Sequence, residues 1–171
     1  MKYLIVFFFA SITAKAQADF DKLFNLFHEP QSISEFKADD FNKPFDVTNK
    51  HNSCIEKVFV AKNDTLTKLY HQKGAVFYET SDIEQFKSWN LKIPLIEGLK
   101  EFEKGTLTSQ SFNPDNFLQY TTYLVNDEYF VKMGLFWAKG NKNVYALYIF
   151  DKKSCYYLNT ASYRGLPRSK M

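Results

Sequence analysis

Residues 129–151 read YFVKMGLFWAKGNKNVYALYIFD, and this stretch decides the fold. In its first half Tyr129, Val131, Met133, Leu135 and Trp137 alternate with Phe130, Lys132, Gly134 and Phe136, the two-residue period of a β-strand. In its second half, Val144 to Phe150, both alternating sets are apolar, which predicts a central strand covered on both faces. Lys139 to Asn143 between them is polar and holds Gly140, so it reads as the turn that folds one strand back on the other.

The same pattern extends outward in both directions. Leu118 to Val125 is a strand-like run joined to Tyr129 by the Asn126-Asp127 turn, and Ser154 to Leu158 reads as a further strand after Lys152-Lys153. Upstream, Ile55 to Ala61, Leu66 to His71 and Ala75 to Glu79 are short runs separated by Lys62-Asn63-Asp64 and Gln72-Lys73-Gly74, a second meander. Helical signals lie outside these runs. Phe20, Leu23, Phe24 and Phe27 recur at helical spacing within Asp19 to His28, and Pro30 stops that segment. Ser32 with Glu35, and Ser81-Asp82 with Glu84, mark two further helix starts, the second running to about Trp89; Leu95 to Glu103 is read as a helical turn or two weakened by Gly98. The fold class is α+β: an antiparallel β-meander sheet with short helices packed on one face, in one domain over residues 17–161. Residues 162–171 form a basic tail. The two meanders share an Asn-Asp dipeptide, at 63–64 and 126–127, which is too little to mark a duplication.

The N-terminus carries an address. Lys2 precedes the apolar run Tyr3 to Ala10, and Ala14-Lys15-Ala16 puts small residues at the −3 and −1 positions, the three-part plan of a secretory signal peptide cleaved after Ala16. The run is well short of the roughly 20 apolar residues a membrane-spanning helix needs. Export to the periplasm or the extracellular space is expected, with no stable membrane span after cleavage. Removing residues 1–16 takes away Lys2 and Lys15, so the 22 basic and 19 acidic residues of the whole chain become 20 and 19, a net charge of +1. In an oxidising compartment Cys54 and Cys155, the two cysteines of the chain, are expected to form a disulfide between the first strand region and the last strand.

Composition narrows the function classes. Arg164 and Arg168 are the only arginines, and the mature charge is near balance, so no nucleic-acid partner is expected. The three histidines, His28, His51 and His71, are scattered; His51 and Cys54 give an H-x-x-C spacing without the other ligands a structural zinc site requires, so no metal or other cofactor is expected. Asp39-Asp40, Glu101/Glu103 and Asp127-Glu128 lie in polar segments, where a carboxyl has no burial to raise its pKa for acid–base work. With six glycines and neither G-x-S-x-G nor a P-loop, the reading leans away from an enzyme. The sequon Asn63-Asp64-Thr65 doubles as turn chemistry.

Aromatic surface recognition remains. Tyr and Trp are the usual anchors of binding interfaces. Tyr156, Tyr157, Tyr163, Arg164 and Trp137 form the candidate patch, with Trp89, Tyr123 and Tyr145 as further aromatic side chains on the sheet. The expected function is that of an exported, non-enzymatic protein acting through a protein partner, an immunity or inhibitor protein being one concrete version. The first rival is a binder of a small apolar or aromatic ligand against the aromatic sheet. The second is a hydrolase without a recognisable motif.

Overall fold

The computed structural model describes residues 20–30, 41–48, 54–62, 64–106, 117–139 and 142–158, with the side chains of residues 48, 55, 56, 106 and 136–139 left aside. The signal segment, the Ser32 helix start, His51, Asn63, Tyr163, Arg164 and the basic tail lie outside the described residues.

Eight strands form one sheet in the order β1-β2-β3-β4-β8-β7-β6-β5, and every neighbouring pair is antiparallel. They are β1 (Phe45–Thr48), β2 (Ile55–Val60), β3 (Lys68–Gln72), β4 (Ala75–Thr80), β5 (Leu99–Thr106), β6 (Phe117–Val125), β7 (Tyr129–Lys139) and β8 (Lys142–Asp151). Two four-stranded meanders are joined through their last strands, β4 and β8. Each meander is preceded by a helix: α1 over residues 20–28 and α2 over Ile83–Lys92, which continues into a short 3-10 turn, Ile93–Leu95. The strand order is unchanged when the two meanders are exchanged, so the repeat absent from the sequence exists in the topology.

Local chemistry sets the boundaries. Asp82 caps α2, its carboxylate accepting from the Glu84 amide at 2.8 Å, and Pro94 ends the regular helix. Asn126 and Asp127 both take positive φ, 48° and 59°, as the central residues of a turn that the Glu128 amide closes by donating to the Val125 carbonyl at 2.9 Å.

Two sequence expectations are corrected. Leu95 to Glu103 is not helical beyond Leu95: from Leu99 the chain is β5, because pairing with β6 satisfies its backbone groups along the whole run. Ser154 to Leu158 is not a strand. Asp151 Oδ1 accepts from the Lys153 amide at 2.7 Å, turning the chain, and Ser154 Oγ then accepts from the Tyr157 amide at 3.2 Å, starting a helical turn, α3, over residues 155–158.

The sheet has a core on each side. On one, Phe20, Leu23 and Leu26 of α1, Trp89 of α2 and Ile93 just after α2 cluster with Val76, Tyr78, Val131, Leu147 and Ile149. On the other, Ala75, Phe77, Phe130, Tyr148 and Phe150 cluster with Tyr156 of α3. The helical segments are thus shared between the two clusters. β4 and β8 are central and buried on both faces, which is why Val144 to Phe150 has no polar side.

Cys54 and Cys155 form a disulfide across a sequence separation of 101 residues. Cys155 lies in α3, beyond the last strand, and Cys54 immediately precedes β2. Since β3 and β4 separate β2 from β8 in the sheet, the bond ties α3, at the end of the second meander, to the first. Such a bond belongs to an oxidising, non-cytoplasmic environment. No helix among the described residues is long and apolar enough to cross a membrane.

Candidate functional site

The face carrying Ala75, Phe77, Tyr148 and Tyr156, here the far face, carries buried polar side chains among its aromatic ones. Strand register places one residue of each strand in a single row across it. From the β1 edge the row runs Phe45, Val58, Tyr70 and Phe77. It continues through Tyr148, Lys132, Thr122 and Glu103 to the β5 edge. The row below contains Gln72, Ala75, Phe150, Phe130 and Leu124.

Lys132 is the unusual member. It is 1% exposed, and its ammonium lies 4.0 Å from the centre of the Tyr120 ring and 4.5 Å from that of Phe117. The Tyr120 hydroxyl donates to Glu103 Oε1 at 2.8 Å. An anionic acceptor on the phenol enriches the ring that faces the cation, so the two contacts reinforce one another. Glycines make the room. A Cβ at Gly105 would come within 2.6 Å of the Tyr120 ring, and one at Gly134 would fall inside the Gln119 carbonyl, where β6 bulges between Phe117 and Gln119.

A second tyrosine–carboxylate contact, from Tyr70 Oη to Glu79 Oε2 at 3.1 Å, lies on the other half of the face. Among the described residues of this face, two buried side chains hold polar atoms without hydrogen-bond partners: the Thr122 hydroxyl, beside Lys132 in the row, and both amide atoms of Gln72.

The sequence-chosen residues fall in different places. Tyr156 is 6% exposed and packs its ring 4.8 Å from both Phe77 and Phe150. Tyr157 is half-buried and stacks on Phe130 at 5.2 Å. Both therefore cover the far face rather than project from it. Trp137 is in β7 with its side chain outside the described set, and Tyr163 and Arg164 lie beyond it. Trp89 and Tyr145 are core residues, Trp89 edge-on to Tyr78 and Tyr145 stacked on Phe86 at 4.7 Å. The structure thus brings Tyr156 and Tyr157 together and adds Lys132, Gln72 and Glu103, which composition alone did not single out. A lysine inside an otherwise apolar strand, two residues before a glycine, was the available signal.

Elsewhere, His71 on β3 is paired in register with Lys57 on β2, which binds Asp46 on β1 at 3.0 Å. Burial first, and the Lys57 charge second, push the His71 pKa below its usual value. Asp64 accepts from the Leu66 amide, the Thr67 hydroxyl and the Ser81 hydroxyl, tying the β2–β3 turn to the segment before α2. No group of three His, Cys, Asp or Glu among the described residues is placed to hold a metal ion.

Comparison with known proteins returns no match: no protein-family model, no curated protein and no solved structure is significantly similar to this chain.

Proposed function

We propose that this chain is an exported, non-enzymatic binding protein that acts on a protein partner through the β1 side of the far face. The observation that carries the reading is the pair Phe45 and Val47. They are 52% and 37% exposed and lie on the same face; Phe45 continues the row that runs inward through Val58 and Tyr70, and Val47 lies beside it on β1, in register with Glu56. Among the described residues β1 pairs only with β2, so its outer edge offers backbone groups beside two apolar side chains. Edge strands with this composition are where extended partners add to a sheet. The disulfide and the signal-like residues 1–16 support export with cleavage after Ala16, and an immunity or inhibitor protein of the envelope is the concrete form proposed.

The test compares the mature protein with a Phe45→Asp/Val47→Asp variant as bait in an extract of the producing cell's envelope. The reading requires a partner retained by the first and lost by the second, with unchanged circular dichroism and thermal midpoint. Equal capture by both would overturn it.

A further inference from the structure

The floor between β4 and β7 on the far face is a continuous aromatic surface. Phe77 lies 4.5 Å from Tyr148 across the β4–β8 pair, and Phe130 stacks on Phe150 at 5.3 Å across the β7–β8 pair. Residues 154–158 lie on it as a strap. Tyr156 rests against Phe77, Tyr148 and Phe150, and Tyr157 lies within 15° of parallel on Phe130. The strap is fastened by the disulfide at Cys155 and by Ser154, whose hydroxyl donates to the Asp151 carbonyl at 2.8 Å.

Beside this floor sits Gln72. It is next to Ala75 in register, and Ala75 is next to Phe150, so only a methyl side chain separates the amide from the rings in that row. Gln72 is 5% exposed, and neither its amide nitrogen nor its carbonyl oxygen has a partner. A buried amide left unsatisfied is costly, and one in a folded protein calls for a partner such as a bound water or a ligand. Its two atoms offer one donor edge and one acceptor edge side by side. Among the described residues of this face, Glu79 and Glu103 accept from tyrosine hydroxyls and Lys132 lies against rings.

We propose that this floor is a binding site for a neutral, planar aromatic molecule bearing a carboxamide or an equivalent adjacent donor–acceptor pair. Tyr156 occupies the ring position in the unliganded protein, and the pair on the ligand completes Gln72. The strap moves aside without leaving the molecule, because the disulfide keeps it attached. The site is distinct from the Phe45–Val47 edge and stands whether or not that edge binds a protein.

The test uses the disulfide-intact mature protein with naphthamide as probe and methylnaphthalene as the matched ring without the amide. Binding is read by titration calorimetry and by NMR of the Gln72 side-chain NH2. The proposal requires that naphthamide shifts that signal and binds more tightly than methylnaphthalene. It also requires that Gln72→Leu abolishes the preference, and that Tyr156→Ala tightens Kd by about tenfold, since an occupied site lowers apparent affinity by the fraction that is open. Gln72→Leu removes an unpaired amide and keeps the volume, so it reports binding on a folded protein even should Tyr156→Ala fail to fold. No shift of the Gln72 signal at saturating naphthamide would overturn the proposal. So would equal affinity for the two probes, or shifts confined to Phe45 and Val47.

Discussion

Lys132 holds its ammonium 4.0 Å above the Tyr120 ring while the hydroxyl of that ring donates to Glu103, a cation, a ring and an anion in series inside a sheet face. A buried cation costs more when its partners are removed than when it is itself replaced by an apolar chain of similar length. Lys132→Met is therefore expected to change stability by less than about 1 kcal/mol or to raise it. Tyr120→Leu, which leaves Lys132 buried without its closest ring, is expected to cost about 3 kcal/mol. In the Lys132→Met background the same Tyr120 change should cost less, by about 1–2 kcal/mol. Urea unfolding of the four proteins of this cycle measures all three quantities.

Gly134 is where β7 touches the bulged backbone of β6. A methyl there meets the Gln119 carbonyl and the Tyr120 Cα, both main chain, so neither can yield by a rotamer change. Gly134→Ala is expected to destabilise by more than about 2 kcal/mol, the range of overpacking against a rigid neighbour. At Gly105 the atoms nearest an added methyl all belong to the Tyr120 side chain. The main effect of Gly105→Ala should be on that ring's position, visible as a change in tyrosine near-ultraviolet circular dichroism at a smaller loss of stability.

The strands of the second meander were legible because Tyr129 to Phe150 alternates cleanly and each of its turns carries polar or glycine chemistry. β5 was not, since Leu99, Phe102 and their neighbours fit a helical spacing as well as a strand's, and only the free edge of β6 decides between them. α3 was hidden for a related reason. Five residues cannot show a period, and the capping role of Ser154 depends on the turn that Asp151 makes before it. From sequence, Tyr156 and Tyr157 read as surface because residues 154–158 read as a strand with an outer face. A helical turn tethered at Cys155 puts Tyr156 onto the sheet instead. Lys132 could not be distinguished from a solvated strand lysine without knowing that Phe117 and Tyr120 lie on the same face.

The disulfide closes a loop of about a hundred residues, for which the chain-entropy account gives about 4–5 kcal/mol. A Cys54→Ser/Cys155→Ser variant, or the reduced protein, is expected to lose stability of that order, with a lower denaturation midpoint and a larger urea m-value, because the unfolded chain freed of the loop exposes more surface. The near-ultraviolet signal of Tyr156 and Tyr157 should weaken before the far-ultraviolet signal of the sheet as denaturant rises, because the bond fastens the strap and not a strand.

Acid should weaken the fold in two stages, and the sign follows from the direction of each shift. His71 has its pKa lowered by burial and by the Lys57 charge, so the folded state favours the neutral ring. Its contribution is fully present above the unfolded value of about 6.5 and is lost as pH falls through the lower folded value. Asp64 is pushed up by burial, but the Ser81 hydroxyl, the Leu66 amide, the Thr67 hydroxyl and the Lys142 charge together outweigh that and hold its carboxyl below the usual 3.8. Its contribution is present above that value and is lost at still lower pH. Thermal midpoints measured between pH 7 and pH 3 should therefore fall first in the histidine range and again in the carboxylate range. Lys57→Gln removes one of the two causes acting on His71, so the titration of the His71 ring protons should move to higher pH and the first step should shrink. Asp64→Asn should remove the second step and leave the first in place. A His71 titration unmoved by Lys57→Gln would mean that burial alone sets it.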